Sequence, residues 1–181
     1  MTRIERWVNA SFATVQFEQF MVVAIQGLGR LDVSLVEGDE SFLADFEQNK
    51  NSLDESLKLN ERFTLSYLWV LGGYELVRTI CQRIKESRVG SPDEVASSFG
   101  ELKKEFSRLR IPLAKMEPAS THKNTDSHIA YPALNTQKGI AWQVAQDVFI
   151  TRRDLADRLL VALELARSKN PNLTSLGGGR A

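Results

Sequence analysis

The residue types best suited to bind an anion flank a proline, Pro112. Arg108, Arg110 and Lys115 lie within a few residues of it, and a guanidinium group is a planar donor fork that suits phosphate or carboxylate. Arg152 and Arg153 stand at the start of a later helical pattern, and Tyr131, which lies between the two groups in sequence, could stack on a base. The sequence therefore predicts an anion or nucleic-acid site formed by Arg108, Arg110, Lys115, Arg152, Arg153 and Tyr131. In the alternative interpretation, the first two arginines only stabilise the negative C-terminal end of a helix.

Metal ligands are sparse. His122 and His128 are the only histidines, with Asp126 between them and Glu117 upstream. Two histidines and two carboxylates can bind zinc, but this spacing matches no common zinc motif. The two histidines are weak candidates, and no metal or other cofactor is predicted.

Patterns typical of catalysis are missing from the sequence. It has no Gly-x-Ser-x-Gly elbow, and the Gly27–Arg30 segment lacks the further residues of a dinucleotide or phosphate loop. Cys81, the only cysteine, lies in an apolar helical stretch, so we expect a buried, inert thiol and no disulfide. A protein without enzymatic activity is favoured.

In the number and length of its predicted helices, the chain is similar to the small HEPN nuclease domains of bacterial toxin and defence systems. Their signature is an arginine followed four to six residues later by a histidine, and neither His122 nor His128 follows an arginine at that distance. The resemblance therefore implies a helical architecture and a possible association with defence systems, but not the RNase activity.

Composition indicates one globular domain. The 181 residues are 43% hydrophobic and 25% charged with zero net charge, which disfavours disorder and a wholly basic nucleic-acid binder. Charge is nevertheless segregated: residues 32–61 carry a balance of −7, and residues 78–115 carry +4. Apolar runs are shorter than the ~18–20 residues of a membrane helix. We expect a cytoplasmic protein with no membrane contact.

Hydrophobic periodicity predicts a mainly α fold, a helical bundle around one long central helix from Leu53 to about Ser87. Both faces are apolar between Phe63 and Val77, which predicts that neighbouring helices enclose this stretch. Gly72-Gly73 predicts a close helix contact. Glu75 and Arg78, three residues apart in this apolar setting, predict a structural ion pair, since they must be paired if they are buried.

Other helices are predicted on both sides of this one. Residues 3–25 form one or two helices that Gly27 and Gly29 end, followed by a loop and a short helix beginning near Asp39. A helix capped by Ser91 carries an apolar seam and ends at Pro112. The last helix begins after Thr151 and runs to about Ser168.

The part between these helices loses helical periodicity. Residues 112–135 predict a long irregular loop, and the alternation in residues 139–150 favours a β-hairpin over one amphipathic helix. Residues 1–170 thus form a single domain, and residues 171–181 a flexible tail.

The function predicted first is non-enzymatic and acts through protein contacts, with self-association ahead of a separate partner protein. It rests on the lack of a catalytic pattern, the apolar bundle and the segregated charge. The alternative is a nucleic-acid or phosphate-ligand binding protein that uses the basic cluster.

Overall fold

The computed structural model describes residues 1–15, 18–49, 53–86 and 92–170. Within these ranges the chain forms five α-helices and one three-stranded sheet. The helices are α1 (Arg3–Ser11), α2 (Met21–Asn49), α3 (Leu53–Glu86), α4 (Asp93–Lys115) and α5 (Arg152–Ser168), and single 3-10 turns span Phe12–Thr14 and Ser120–His122. The strands are β1 (Tyr131–Asn135), β2 (Gly139–Ala145) and β3 (Val148–Thr151). The predicted mainly α fold with a small β element is confirmed.

Helix α3 is the predicted long helix, and it packs against α2, α4 and α5. Trp69, Val70 and Val77 are fully buried. The glycine pair makes the expected close contacts, because a Cβ at Gly73 would lie 2.9 Å from the Phe106 ring of α4. The predicted enclosure is incomplete, however, since Leu68 is 51% exposed.

The Glu75–Arg78 pair is on the surface. Arg78 Nε donates to Glu75 Oε2 at 2.7 Å, so the predicted ion pair is confirmed, although both side chains are about half exposed (46% and 50%). The two residues lie on the solvent side of α3, where an exposed pair stabilises the fold little.

Helix α2 differs most from the sequence prediction. Gly27 and Gly29 do not end a helix, and the loop and short helix expected around Asp39 lie inside α2. A Cβ at Gly29 would collide with Trp7 of α1 at 2.6 Å. Close packing therefore requires glycine here, and its low helix propensity is overridden.

Proline does not end α4 either. Pro112 is buried inside the helix, which continues to Lys115 and ends at Met116 with a left-handed φ of 56°. Only one further turn follows the proline, so few helical bonds are at stake. Strand β1 also occupies the end of the predicted 112–135 loop. The predicted capping residue Ser91 lies outside the described residues.

The predicted hairpin is confirmed and gains a third strand, β1, in an antiparallel sheet of order β1-β2-β3. Central strand β2 is almost wholly buried and packs on α2, α4 and α5. It begins at Gly139, whose φ is +77° and whose missing Cβ leaves room for the Asp39 carboxyl of α2. Helix α5 then begins at Thr151, whose hydroxyl accepts from Asp154 N at 3.0 Å.

We expect Gly139→Ala to destabilise the fold strongly, because alanine disfavours the positive φ and its Cβ collides with Asp39. Urea denaturation should show a loss of at least about 2 kcal/mol in the free energy of unfolding. Gly100→Ala is the control: its Cβ has open space within α4, so stability should hold or rise. Equal losses in both variants would contradict this account.

Candidate functional site

The predicted basic residues on α4 point to different neighbours. Arg108 donates twice to Asp126 at 2.8 and 2.9 Å and so ties the segment before the sheet to α4. Arg110, two residues on and therefore on another side of the helix, lies over the Tyr74 ring at 5.1 Å. Its guanidinium is 3.9 Å from Glu75 of α3.

The other predicted residues do not join them at one surface. Lys115 lies 3.7 Å from Glu117, and Arg153 lies 3.0 Å from Glu40. Arg152 is fully buried, while Tyr131 is 53% exposed on strand β1. Each predicted base thus faces a carboxylate of the protein, and binding of an anion by this set stays a prediction.

The Arg108–Asp126 pair changes the acidity of its carboxyl. Burial raises the pKa of Asp126, but the hydrogen bonds from Arg108 and Thr125 and the charge of Arg108 outweigh burial and bring this pKa below its ordinary value. The Asp126 carboxylate therefore stabilises the folded state while it is ionised.

Within the described ranges, no group of three or more His, Cys, Asp or Glu residues is placed to hold a metal ion. His122 closes the second 3-10 turn, and His128 is exposed in the segment before β1. Cys81 is buried as expected, 9% exposed, and its burial raises the pKa of the thiol.

The strongest polar constellation lies inside the bundle, around the Asp32 carboxylate of α2. Its Oδ1 accepts from Arg152 of α5 at 2.5 Å, and both side chains are fully buried. Its Oδ2 accepts from Arg3 Nε at 2.6 Å and from Trp7 Nε1 at 2.8 Å, both on α1. One carboxylate therefore connects three helices.

Asp39, two turns further along α2, extends this cluster. It accepts a short hydrogen bond from Arg62 of α3 and lies 3.6 Å from Arg152 Nη2. The Arg152 guanidinium also lies 5.8 Å from the centre of the Trp69 ring. We call Arg3, Asp32, Asp39, Arg62 and Arg152 the buried charge cluster.

Sequence reasoning missed four of these residues and misread the fifth. The available signal was the seven-residue spacing of Asp32 and Asp39, which places both on one helix face. It was lost because the glycine-rich acidic stretch around them predicted a loop. Arg152 was predicted to bind an anion or nucleic acid, because the residues around it in the sequence do not indicate that it is buried.

The surface feature that stands out is an exposed apolar strip on the solvent side of α2 and α3. Leu28 of α2 packs on Gly72 of α3, since a Cβ there would lie 3.2 Å from Leu28 Cδ2. Gly27 and Leu71, one position before each, consequently turn toward solvent on the same side. Steps of three and four residues continue this side along both helices, although Asn60, Glu61 and Thr64 interrupt the apolar positions of α3 between Leu57 and Leu68.

We call the strip the outer face. Its large exposed side chains are Phe20 (75%), Val23 (74%), Leu53 (76%), Leu57 (59%) and Leu68 (51%). Ala24 and Gly27 are exposed between them, and Leu31 and Leu71 are partly buried at the α2–α3 junction. Single exposed leucines are ordinary, but several large apolar side chains exposed on one side of two packed helices are typical of an interaction surface.

Comparison with known proteins finds no matching protein family, no matching curated protein and no matching solved structure. Among the helices of the described residues, none has the length and apolar character needed to cross a membrane.

We expect Arg152→Met to cost about 3–5 kcal/mol in the free energy of unfolding, because it leaves the Asp32 and Asp39 carboxylates buried without a counter-charge. Arg153→Met is the matched control. Arg153 forms a more exposed pair with Glu40, so the loss should stay below about 1 kcal/mol. Similar losses measured in urea for the two variants would refute a stabilising role of the cluster.

We expect Asp126→Asn to reduce stability at neutral pH and to flatten the acid side of the stability profile. The folded pKa of Asp126 is lowered, so its contribution is present above the unfolded pKa, about 4, and is lost as pH falls through the folded pKa. Urea unfolding from neutral to acidic pH should show the gap between wild type and variant closing. Glu117→Gln, at an exposed pair, should leave the profile unchanged; a gap of constant size would argue against the ion pair.

Proposed function

We propose that this protein acts through protein contacts and associates with a second copy of itself through the outer face. The supporting observation is the exposed apolar strip of α2 and α3, whose large side chains are 51–76% exposed. Burying it would remove apolar area from water, which is the main driving force of association. Zero net charge adds no overall repulsion between copies.

The spacing of the strip favours a two-fold partner. In a two-fold dimer the same patch meets itself, so residue i of one copy contacts residue j of the other and the reverse. Because Leu28 lies level with Gly72 in the antiparallel hairpin, Phe20 lies level with Ile80. Counted along α3, the level of Phe20 therefore lies twelve residues after Leu68, and Leu57 lies eleven residues before Leu68.

A two-fold axis near Leu68 thus brings Phe20 of one copy against Leu57 of the other, twice. Small residues lie between these anchors, and Ala24 and Gly27 let helix backbones approach closely. A Cβ at Gly27 would meet nothing within 4 Å in the isolated chain.

We expect light scattering coupled to gel filtration to give twice the 20.4 kDa chain mass for the wild type. Leu68→Glu should weaken the dimer at least about tenfold, because it places two unpaired carboxylates at the centre of the interface. Val161→Glu is the control, since Val161 is similarly exposed (56%) but lies on α5. A wild-type chain that stays monomeric at high concentration would refute the proposal.

The register has its own test. Phe20→Lys and Leu57→Glu should each weaken the dimer, while the double variant should recover part of the lost affinity, because it pairs opposite charges twice. If the double variant is as weak as the sum of the single variants, the copies do not pair in this register. Circular dichroism should confirm that all variants remain helical.

A further inference from the structure

A second surface, distinct from the outer face, carries unneutralised positive charge. A groove of about 400 Å³ lies where the end of α3 meets α4 and the segment after α4. Ile84 of α3 and Ile111 of α4 are among its apolar lining residues, and Lys85, Lys103 and Lys104 stand around it. Its volume is within the range of small-ligand pockets, about 300–1,000 Å³.

The three lysines differ in their partners. Lys104 Nζ lies 2.7 Å from Glu101 on the same helix. Among the residues the structure describes, neither Lys85 nor Lys103 has a carboxylate within ion-pair distance, and none of the groove's lining residues is acidic. Lys103 is also half buried. Two uncompensated ammonium groups at one groove attract an anion.

The apolar lining defines the rest of the ligand. The lining residues are aliphatic, small or hydroxyl-bearing, and none is aromatic, so a nucleobase has nothing to stack on. Gly100 of α4 opens space in the groove, since a Cβ there would meet nothing within 4 Å. Two lysines also fall short of the row of cations that follows a nucleic-acid backbone.

We propose that this groove binds a single-chain amphipathic anion, with its phosphate or carboxylate head at Lys85 and Lys103 and its alkyl body against Ile84 and Ile111. Ser120 and Thr121, which line the same groove, add hydroxyl donors close to the head group. The lysines act as point charges, which suits either head group. This inference does not depend on self-association through the outer face.

Calorimetric titration of the full-length protein with decyl phosphate and with decanoate, both below their micelle concentrations, tests the ligand class. We expect saturable binding of at least one of them. The one that binds more tightly shows whether the natural ligand carries a phosphate or a carboxylate head group. Inorganic phosphate alone and decyltrimethylammonium should bind at least about tenfold more weakly, since each lacks one of the two required parts. Equal binding of the cation, or no saturable binding of either anion, would overturn the proposal.

Variants locate the site. Lys103→Met should weaken binding about tenfold or more, while Lys104→Met, which removes the lysine already paired with Glu101, should change it less than about threefold. Gly100→Leu should fill the groove and abolish binding, whereas Gly100→Ala should retain most of it. Urea unfolding should show that these variants remain folded. Identical affinity of Lys103→Met and Lys104→Met, or full binding by Gly100→Leu, would place the ligand elsewhere.

Discussion

The buried Asp32 carboxylate is the interaction around which the bundle is arranged. It binds Arg152 and Arg3 and accepts from the Trp7 indole, so that α1, α2 and α5 meet at one group. An ionised group in the interior is tolerated only when it is paired and hydrogen-bonded. Any arrangement that separates these helices must therefore expose the carboxylate or leave it unpaired.

This constraint also determines what the surface displays. Asp32 and Asp39 lie on one side of α2 and must both face the interior, which fixes the rotation of the helix about its axis. Gly27, Ala24 and Val23 then face solvent, because they lie on other sides of the helix. Replacing a buried ion pair by apolar residues is often neutral for stability. We infer that the buried charge cluster serves chiefly to specify this orientation.

The sequence was informative wherever local pattern and tertiary packing agreed. The seam of α4 and the Thr151 start of α5 were predictable, because periodicity and capping act within a few residues. Helix α2 was not, since Gly29 is explained only by the Trp7 ring that packs on it from another helix. The ion partners of Asp32 are 29 and 120 residues away in sequence, beyond the reach of any local pattern.

Charge segregation in the sequence likewise acquires a different meaning once the pairs are known. The arginines and lysine around Pro112 predicted an anion site there. Arg108 and Arg110 instead face carboxylates from elsewhere in the chain, Asp126 and Glu75, and most of their charge is neutralised internally. Within the described part of this stretch, Lys85 and Lys103 have no carboxylate at ion-pair distance, and they share one groove with aliphatic neighbours. A net balance counts all charges, whereas the charges best able to attract a ligand are those without internal partners, and two lysines suit the small amphipathic anion that we propose better than a polyanion.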